Sequence, residues 1–183
     1  MHDIVTPILV QPATLRIDFQ FQGHHVGFAS FQAVIGGLAE GKITVEHDPS
    51  TTMAHYHIAG NKFLLPYDSQ PQFLIEEALV VHEAVHAAMD ISKAKVTRDI
   101  SETTAYLAQA IYVYNQMERS FEPDWAGWPF GEGMLKTAFA ASRKAHGRCA
   151  ILTMEDVKPL YDAVCVHKEY RDNISAVVPY NGI

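Results

Sequence analysis

Residues 72 to 92, QFLIEEALVVHEAVHAAMDIS, contain no Gly or Pro and are rich in Leu, Ile, Val, Ala and Glu. The stretch reads as one long helix that is apolar around most of its circumference. Such a helix has to be covered on several sides, so the rest of the chain must wrap around it. Set into this apolar run are two imidazoles and a carboxylate, His82, Glu83 and His86. Burying three such groups without a common partner is costly, which raises the question of what they share.

On an α-helix, residues four apart lie about 40° apart around the axis and about 6 Å along it, so His82 and His86 project from one face. Two imidazoles so placed can hold one cation at the zinc–nitrogen distance of roughly 2.0 to 2.1 Å. Glu83 lies on the adjoining part of that face, where it can take a proton from a metal-bound water without ligating the metal. The pattern is HExxH; for a chain with 10 His in 183 residues the expected number of random matches is roughly 0.03. The competing reading is that both imidazoles bond to backbone carbonyls and Glu83 is solvated at the helix edge.

A catalytic zinc usually takes three protein ligands and keeps a position for water. The continuation HExxHxxGxxH of the metzincins fails here, because Met89 and Ser92 stand where Gly and His would be. The peptide deformylase pattern, with an upstream cysteine ligand, fails because Cys149 and Cys165 are both downstream. A second helix predicted over residues 100 to 118 offers Glu102, 16 residues after His86, with SKAKVTRD as a tight turn and an antiparallel return. Tyr106 and Gln109 follow Glu102 on the same face. Asp99, three residues before Glu102, also matches a capping box, in which Glu102 would only satisfy a backbone N–H. In that case Asp99 and His167 are the next candidate ligands.

On HEAVH at 82 to 86 and SETTAYLAQAIY at 101 to 112, the sequence resembles the zincin metallopeptidases, specifically the small gluzincins, whose HExxH is completed by a glutamate on the following helix. It is also similar to bacterial proteins in which a strand such as NKFLLP precedes an HExxHA helix and an E-x-x-A-Y-x-A-Q segment follows. The resemblance covers roughly residues 54 to 115. It implies Zn2+ held by His82, His86 and Glu102, and a peptide or protein substrate. It also implies that Glu83 is the general base for a metal-activated water and later passes the proton to the leaving amine. Gluzincins often carry an acidic residue four positions after the ligand glutamate, where this chain has Tyr106. A partner orienting the imidazoles must then come from elsewhere, with Asp90, one turn after His86, as a candidate. Tyr106 itself is either an oxyanion donor or an ordinary packed aromatic.

The first seventy residues read as strands with turns between them. TLRIDFQF alternates at period two, with Leu15, Ile17, Phe19 and Phe21 on one face. KITVEHD and HYHIAGNKFLLP are further strands, the latter broken at Gly60-Asn61 into a hairpin. SFQAVIGGLAEG suggests a short helix ended by Gly41, and two helices are predicted near 132 to 145 and 154 to 168. Strands first and helices afterwards predict an α+β fold, with a mainly antiparallel N-terminal sheet followed by a helical half that carries the HExxH helix. His55 and His57 share one face of their strand, either as oxyanion stabilisers or as exposed histidines without a role. His24 and His25 read as a turn and a poor pair for one metal. Trp125 and Trp128 read as core cover more readily than as pocket lining.

With 183 residues, 48% of them apolar, the chain suffices for one well-packed core, and a single domain over 1–183 is the expectation. A formal charge of -7, with 14 Lys and Arg scattered along the chain, argues against nucleic acid as the main partner. No apolar run reaches the roughly 18 residues of a membrane span, and MHDIVTPILVQPATL lacks the basic start and long apolar core of a signal peptide. The expected location is therefore cytoplasmic, although export without such a peptide would leave the same sequence. The two cysteines fit no zinc-finger spacing and read as reduced thiols. Two functions compete: a zinc-dependent peptidase, and a catalytically silent zincin-derived binding or regulatory module with a structural zinc. A third possibility is an enzyme held latent by its own chain, with the segment SAVVPYNGI lying in a cleft as a pseudo-substrate.

Overall fold

The computed structural model describes residues 4–117, 131–145 and 149–183. In chain order these form α1 (Val5–Leu9), α2 (Pro12–Leu15), β1 (Phe19–Phe21), β2 (His24–Val26), α3 (Phe28–Ala39), β3 (Thr44–His47), β4 (His55–His57) and β5 (Lys62–Leu65). The second half holds α4 (Leu74–Ile91), α5 (Arg98–Gln116), α6 (Gly131–Ser142), β6 (Ala150–Leu152) and α7 (Met154–Val166). The architecture is α+β, with small sheets built largely from the N-terminal half and a helical half that follows.

The strands form two three-stranded sheets, in the orders β2-β1-β6 and β3-β5-β4. In each, one pair is antiparallel (β1 with β2, β4 with β5) and one is parallel (β1 with β6, β3 with β5). The hairpin expected at Gly60-Asn61 is present: a 3-10 turn at Ile58–Gly60 and Asn61 at φ 48° reverse the chain from β4 into β5. The strand expected over TLRIDFQF is shorter than its alternation suggests. Pro12 opens α2, its fixed φ suited to a first helical turn, and Leu15 ends that helix, 40% exposed. Ile17, Phe19 and Phe21 keep the period of two and are fully buried. The turn after β1 falls at Gln22 and Gly23, both at positive φ, so His24 and His25 stand on β2.

α4 occupies nearly all of the span read from the sequence, and its residues 78–87, 89 and 90 are buried. Glu76 and Glu77 lie in its first turn, where they complement the helix dipole, and Glu76 accepts the Phe73 backbone N–H at 3.2 Å. α5 returns antiparallel: Ser101 meets His86 and Gln109 meets His82, so positions descend on one helix as they rise on the other. One continuous hydrophobic cluster draws on residues from α1 through α7. Trp125 and Trp128 lie outside the described residues. No helix among the described residues is long and apolar enough to cross a membrane.

Segment 174–183 is integrated into the fold. The Asp99 N–H donates to the Ile174 carbonyl, the Arg98 N–H to Ala176 and the Val178 N–H to Val96, which straps the segment across the α4–α5 connection. The Asn181 and Gly182 N–H groups donate to Asp90 Oδ1 at 2.8 and 3.1 Å. This backbone is committed to the protein's own groups, and only Val178 and Tyr180 of the segment line the cleft described below.

Candidate metal centre

α4 and α5 bring His82, His86 and Glu102 together. The Nε2 atoms of His82 and His86 are 3.2 Å apart, and Glu102 Oε2 lies 3.4 Å from the first and 3.7 Å from the second. The three side chains are 5%, 11% and 13% exposed. Ligand atoms bound at roughly 2.0 to 2.1 Å around a tetrahedral zinc sit about 3.3 to 3.4 Å apart. The observed triangle brackets that spacing, so a cation slightly above its plane can stand about 2.0 to 2.1 Å from all three atoms. The donor set, two imidazoles and a carboxylate with a cleft on the open side, could hold a metal ion and leave a position open to the cleft.

The far side of each imidazole is also held. His82 Nδ1 is 3.1 Å from Gln109 Oε1, a contact that orients the ring with Nε2 toward the triangle. His86 Nδ1 lies 3.1 Å from the Ser101 hydroxyl and 2.9 Å from that of Tyr180, and the two hydroxyls are 2.9 Å apart. Asp90, the orienting partner expected from the sequence, does not do this. It is fully buried and accepts from the Tyr56 hydroxyl at 3.0 Å and from the backbone of 181 and 182. One turn along α4 puts Asp90 beyond reach of the rings' outer nitrogens, which point instead at α5.

The capping role for Glu102 also fails. α5 begins two residues earlier than the pattern suggested, with Thr97 as the cap residue, which places Glu102 inside the helix. Asp99 takes the local duties: Oδ1 accepts from the Ile100 N–H at 2.8 Å and from the Thr97 hydroxyl, and Oδ2 accepts from Tyr161 at 2.7 Å. His167 ends α7 with its ring 5.3 Å from that of Tyr170. Neither Asp99 nor His167 joins the triangle.

Burial works against charge on both His86 and Glu102, but their neighbours prevail. Tyr180, Glu102 and Glu83 raise the proton affinity of His86 well above that of an ordinary imidazole. His86 and His82 hold the Glu102 carboxyl far below the usual carboxylate range. Two nitrogens and an oxygen thus converge on one point where a positive charge is favoured.

Glu83 is anchored from the sheet side. Its Oε2 accepts the Tyr56 backbone N–H at 2.7 Å, and its Oε1 lies 3.9 Å from His82 Nε2. β4 is an edge strand, and Tyr56 presents to Glu83 the N–H that a central strand would give to a neighbour. The triangle and Glu83 open into a cleft of about 530 Å³, lined also by His55, Tyr56, Arg98, Tyr170 and Tyr180. His57, on the same strand face as His55, does not line it.

Tyr106 stands elsewhere than an oxyanion donor would. It is fully buried behind the site, its ring 4.6 Å from that of His82 in an edge arrangement. Its hydroxyl lies 3.1 Å from that of Tyr170, and Tyr170 is the one that reaches the cleft. Burial, with Tyr170, Glu102 and Glu83 nearby, raises the Tyr106 phenol well above its ordinary value, so it stays protonated. Tyr170 and Tyr180 carried no sequence signal, because neither falls in a periodic segment containing the motif. Gln109 was legible as the residue seven after Glu102 on the α5 face, though not its contact with His82.

Comparison with protein-family models, curated proteins and solved structures gives no match.

Proposed function

We propose that this protein is a zinc-dependent hydrolase, a peptidase of the small gluzincin type, in which His82, His86 and Glu102 hold the metal and Glu83 is the general base. The observation that carries this reading is the His82, His86 and Glu102 triangle, whose edges match the ligand spacing of a tetrahedral zinc. When bound, zinc supplies a Lewis acid that polarises a carbonyl and lowers the pKa of water to about 7.

The chain's own groups supply the rest. The Tyr56 N–H fixes one oxygen of Glu83 and leaves the other to take a proton and deliver it to the leaving amine. Tyr170 and His55 are among the cleft-lining donors available to a carbonyl oxygen that gains charge. Arg98, one turn before Glu102 on α5, brings a guanidinium to the same cleft, suited to a carboxylate on the substrate. The outward N–H of Tyr56 is already engaged, so an extended peptide pairing along β4 has to use the other groups of that edge. The free thiols of Cys149 and Cys165 fit a reducing compartment, and we place the protein in the cytoplasm on that basis.

The burial of Tyr106 favours a second reading, a catalytically silent module whose zinc fixes α4 against α5. Glu83→Gln separates the two. A hydrolase keeps fold and zinc but loses peptide turnover in this variant. Turnover equal to wild type would refute the catalytic reading, and a wild type inert on peptide libraries despite bound zinc would favour the silent module.

A further inference from the structure

A second set of ligating side chains converges on the first sheet, away from the cleft. Asp18 immediately precedes β1, His25 stands on β2 and Cys149 immediately precedes β6. Gln20 pairs with His25 across the β1–β2 ladder, so His25 shares a face with Gln20 and, two residues back, with Asp18. That face is opposite to the one on which Phe19 and Phe21 are buried. β6 pairs with β1 so that Ala150 lies beside Phe19, and the Ala150 N–H donates to the Asp18 carbonyl at 3.1 Å. Cys149 is thereby level with Asp18. One donor atom from each of Asp18, His25 and Cys149 lies within 4.8 Å of the other two.

Two local features accompany this convergence. A side chain at Gly27 would place its Cβ 3.0 Å from His25 Cε1 and 3.2 Å from Asp18 Oδ1, so glycine leaves the room in which the pair sits. Cys149 adopts φ 51°, a left-handed backbone that carries some strain in a residue other than glycine. The thiol of Cys149 is exposed and free.

We propose that Asp18, His25 and Cys149 form a second, surface site for a borderline-soft divalent cation such as zinc. A thiolate, an imidazole and a carboxylate together suit zinc, cobalt or nickel and disfavour magnesium and calcium, which require oxygen ligands. His25 Nε2 and Asp18 Oδ1 are now 2.7 Å apart, a hydrogen bond and closer than two ligands of one tetrahedral zinc, which sit about 3.3 Å apart. Cation entry replaces that hydrogen bond, and with side chains 45% and 31% exposed the pair can separate by the difference. Access from solvent leaves a position for water or for a fourth ligand. Because β1 and β2 belong to the N-terminal half and β6 to the C-terminal half, the cation would tie the two halves together.

Cobalt(II) is the probe, since it gives a thiolate charge-transfer band in the near ultraviolet that a His, His and Glu site cannot give. Reduced full-length protein titrated with cobalt should develop that band in wild type, in Glu102→Ala and in Cys165→Ser. The band should vanish in Cys149→Ser and require more cobalt in His25→Ala, and added zinc should bleach it. A wild type without the band, or a band that follows Cys165 instead, overturns the proposal whatever the state of the cleft.

Discussion

His86 Nδ1 and the Tyr180 hydroxyl are 2.9 Å apart, joining a residue of the candidate metal triangle to a segment 94 residues further along the chain. The contact lies on the far side of the imidazole from His82 and Glu102, where a partner sets ring orientation and tautomer. Ser101 shares the role, so neither hydroxyl acts alone.

Replacing Tyr180 with Phe removes this contact and leaves Ser101 in place. Outer partners of metal-bound histidines are worth about 10- to 100-fold in metal affinity, and with Ser101 retained the loss should fall near the lower end. Competition against a chelator of known affinity measures it, and Tyr180→Phe combined with Ser101→Ala should lose more than the single variant. An unchanged affinity in the double variant would show that the ring is oriented by packing alone.

Acidity should act in opposite directions on the metal-free and zinc-loaded forms. The proton affinity of His86 is raised on folding, so its contribution is full below its unfolded value of 6.5 and declines as pH rises through the higher folded value. Glu102 is depressed, so its contribution is full above 4.5 and is lost as pH falls through the lower folded value. For these two groups, the metal-free protein has its maximum between 4.5 and 6.5. Zinc requires both imidazoles neutral, so the rise in Tm on adding zinc should grow as pH increases above that window. Paired thermal scans with and without chelator test this, and a zinc increment that shrinks toward alkaline pH would contradict it.

Asp90 anchors segment 174–183 through Asn181 and Gly182 and holds the Tyr56 hydroxyl. Its replacement by Ala strands three donors, each costing about 1 to 3 kcal/mol where water cannot reach. Partial exposure near residues 181 and 182 reduces this, so we expect a loss of roughly 2 to 4 kcal/mol. Urea unfolding at constant slope reads the loss. Because Tyr56 also supplies the N–H that fixes Glu83, turnover should fall more than zinc affinity does.

Much of the central site was legible because one periodicity carries it. The apolar run from 72 to 92 read as a buried helix, which the structure has at 74–91, and the spacing of His82, Glu83 and His86 then put them on adjoining parts of one face. The length of the return into α5 allowed Glu102 as the third group, with a capping role for Glu102 and Asp99 or His167 as alternatives. The orienting groups were not legible, because they depend on the register of α5 against α4 and on where a distant segment lands. Asp90 looked suitable along α4, yet the outer nitrogens face α5 and Tyr180. Tyr106 had the right helical spacing, but one turn past Glu102 it is buried against the His82 ring, and the residue reaching the cleft is its hydrogen-bond partner Tyr170. At the N-terminus, alternation in TLRIDFQF was real for Ile17, Phe19 and Phe21, while Pro12 turned the residues before them into helix. The β6 pairing with β1 is non-local, and a three-residue strand leaves little pattern to read.

The most direct measurement is metal content, by elemental mass spectrometry after loose metal is removed, in a Cys149→Ser background that silences the surface cluster. About one zinc per chain is expected in that background and with Glu83→Gln added, and almost none with Glu102→Ala added. Absence of metal even after zinc is supplied, or zinc undiminished by Glu102→Ala, would contradict that expectation.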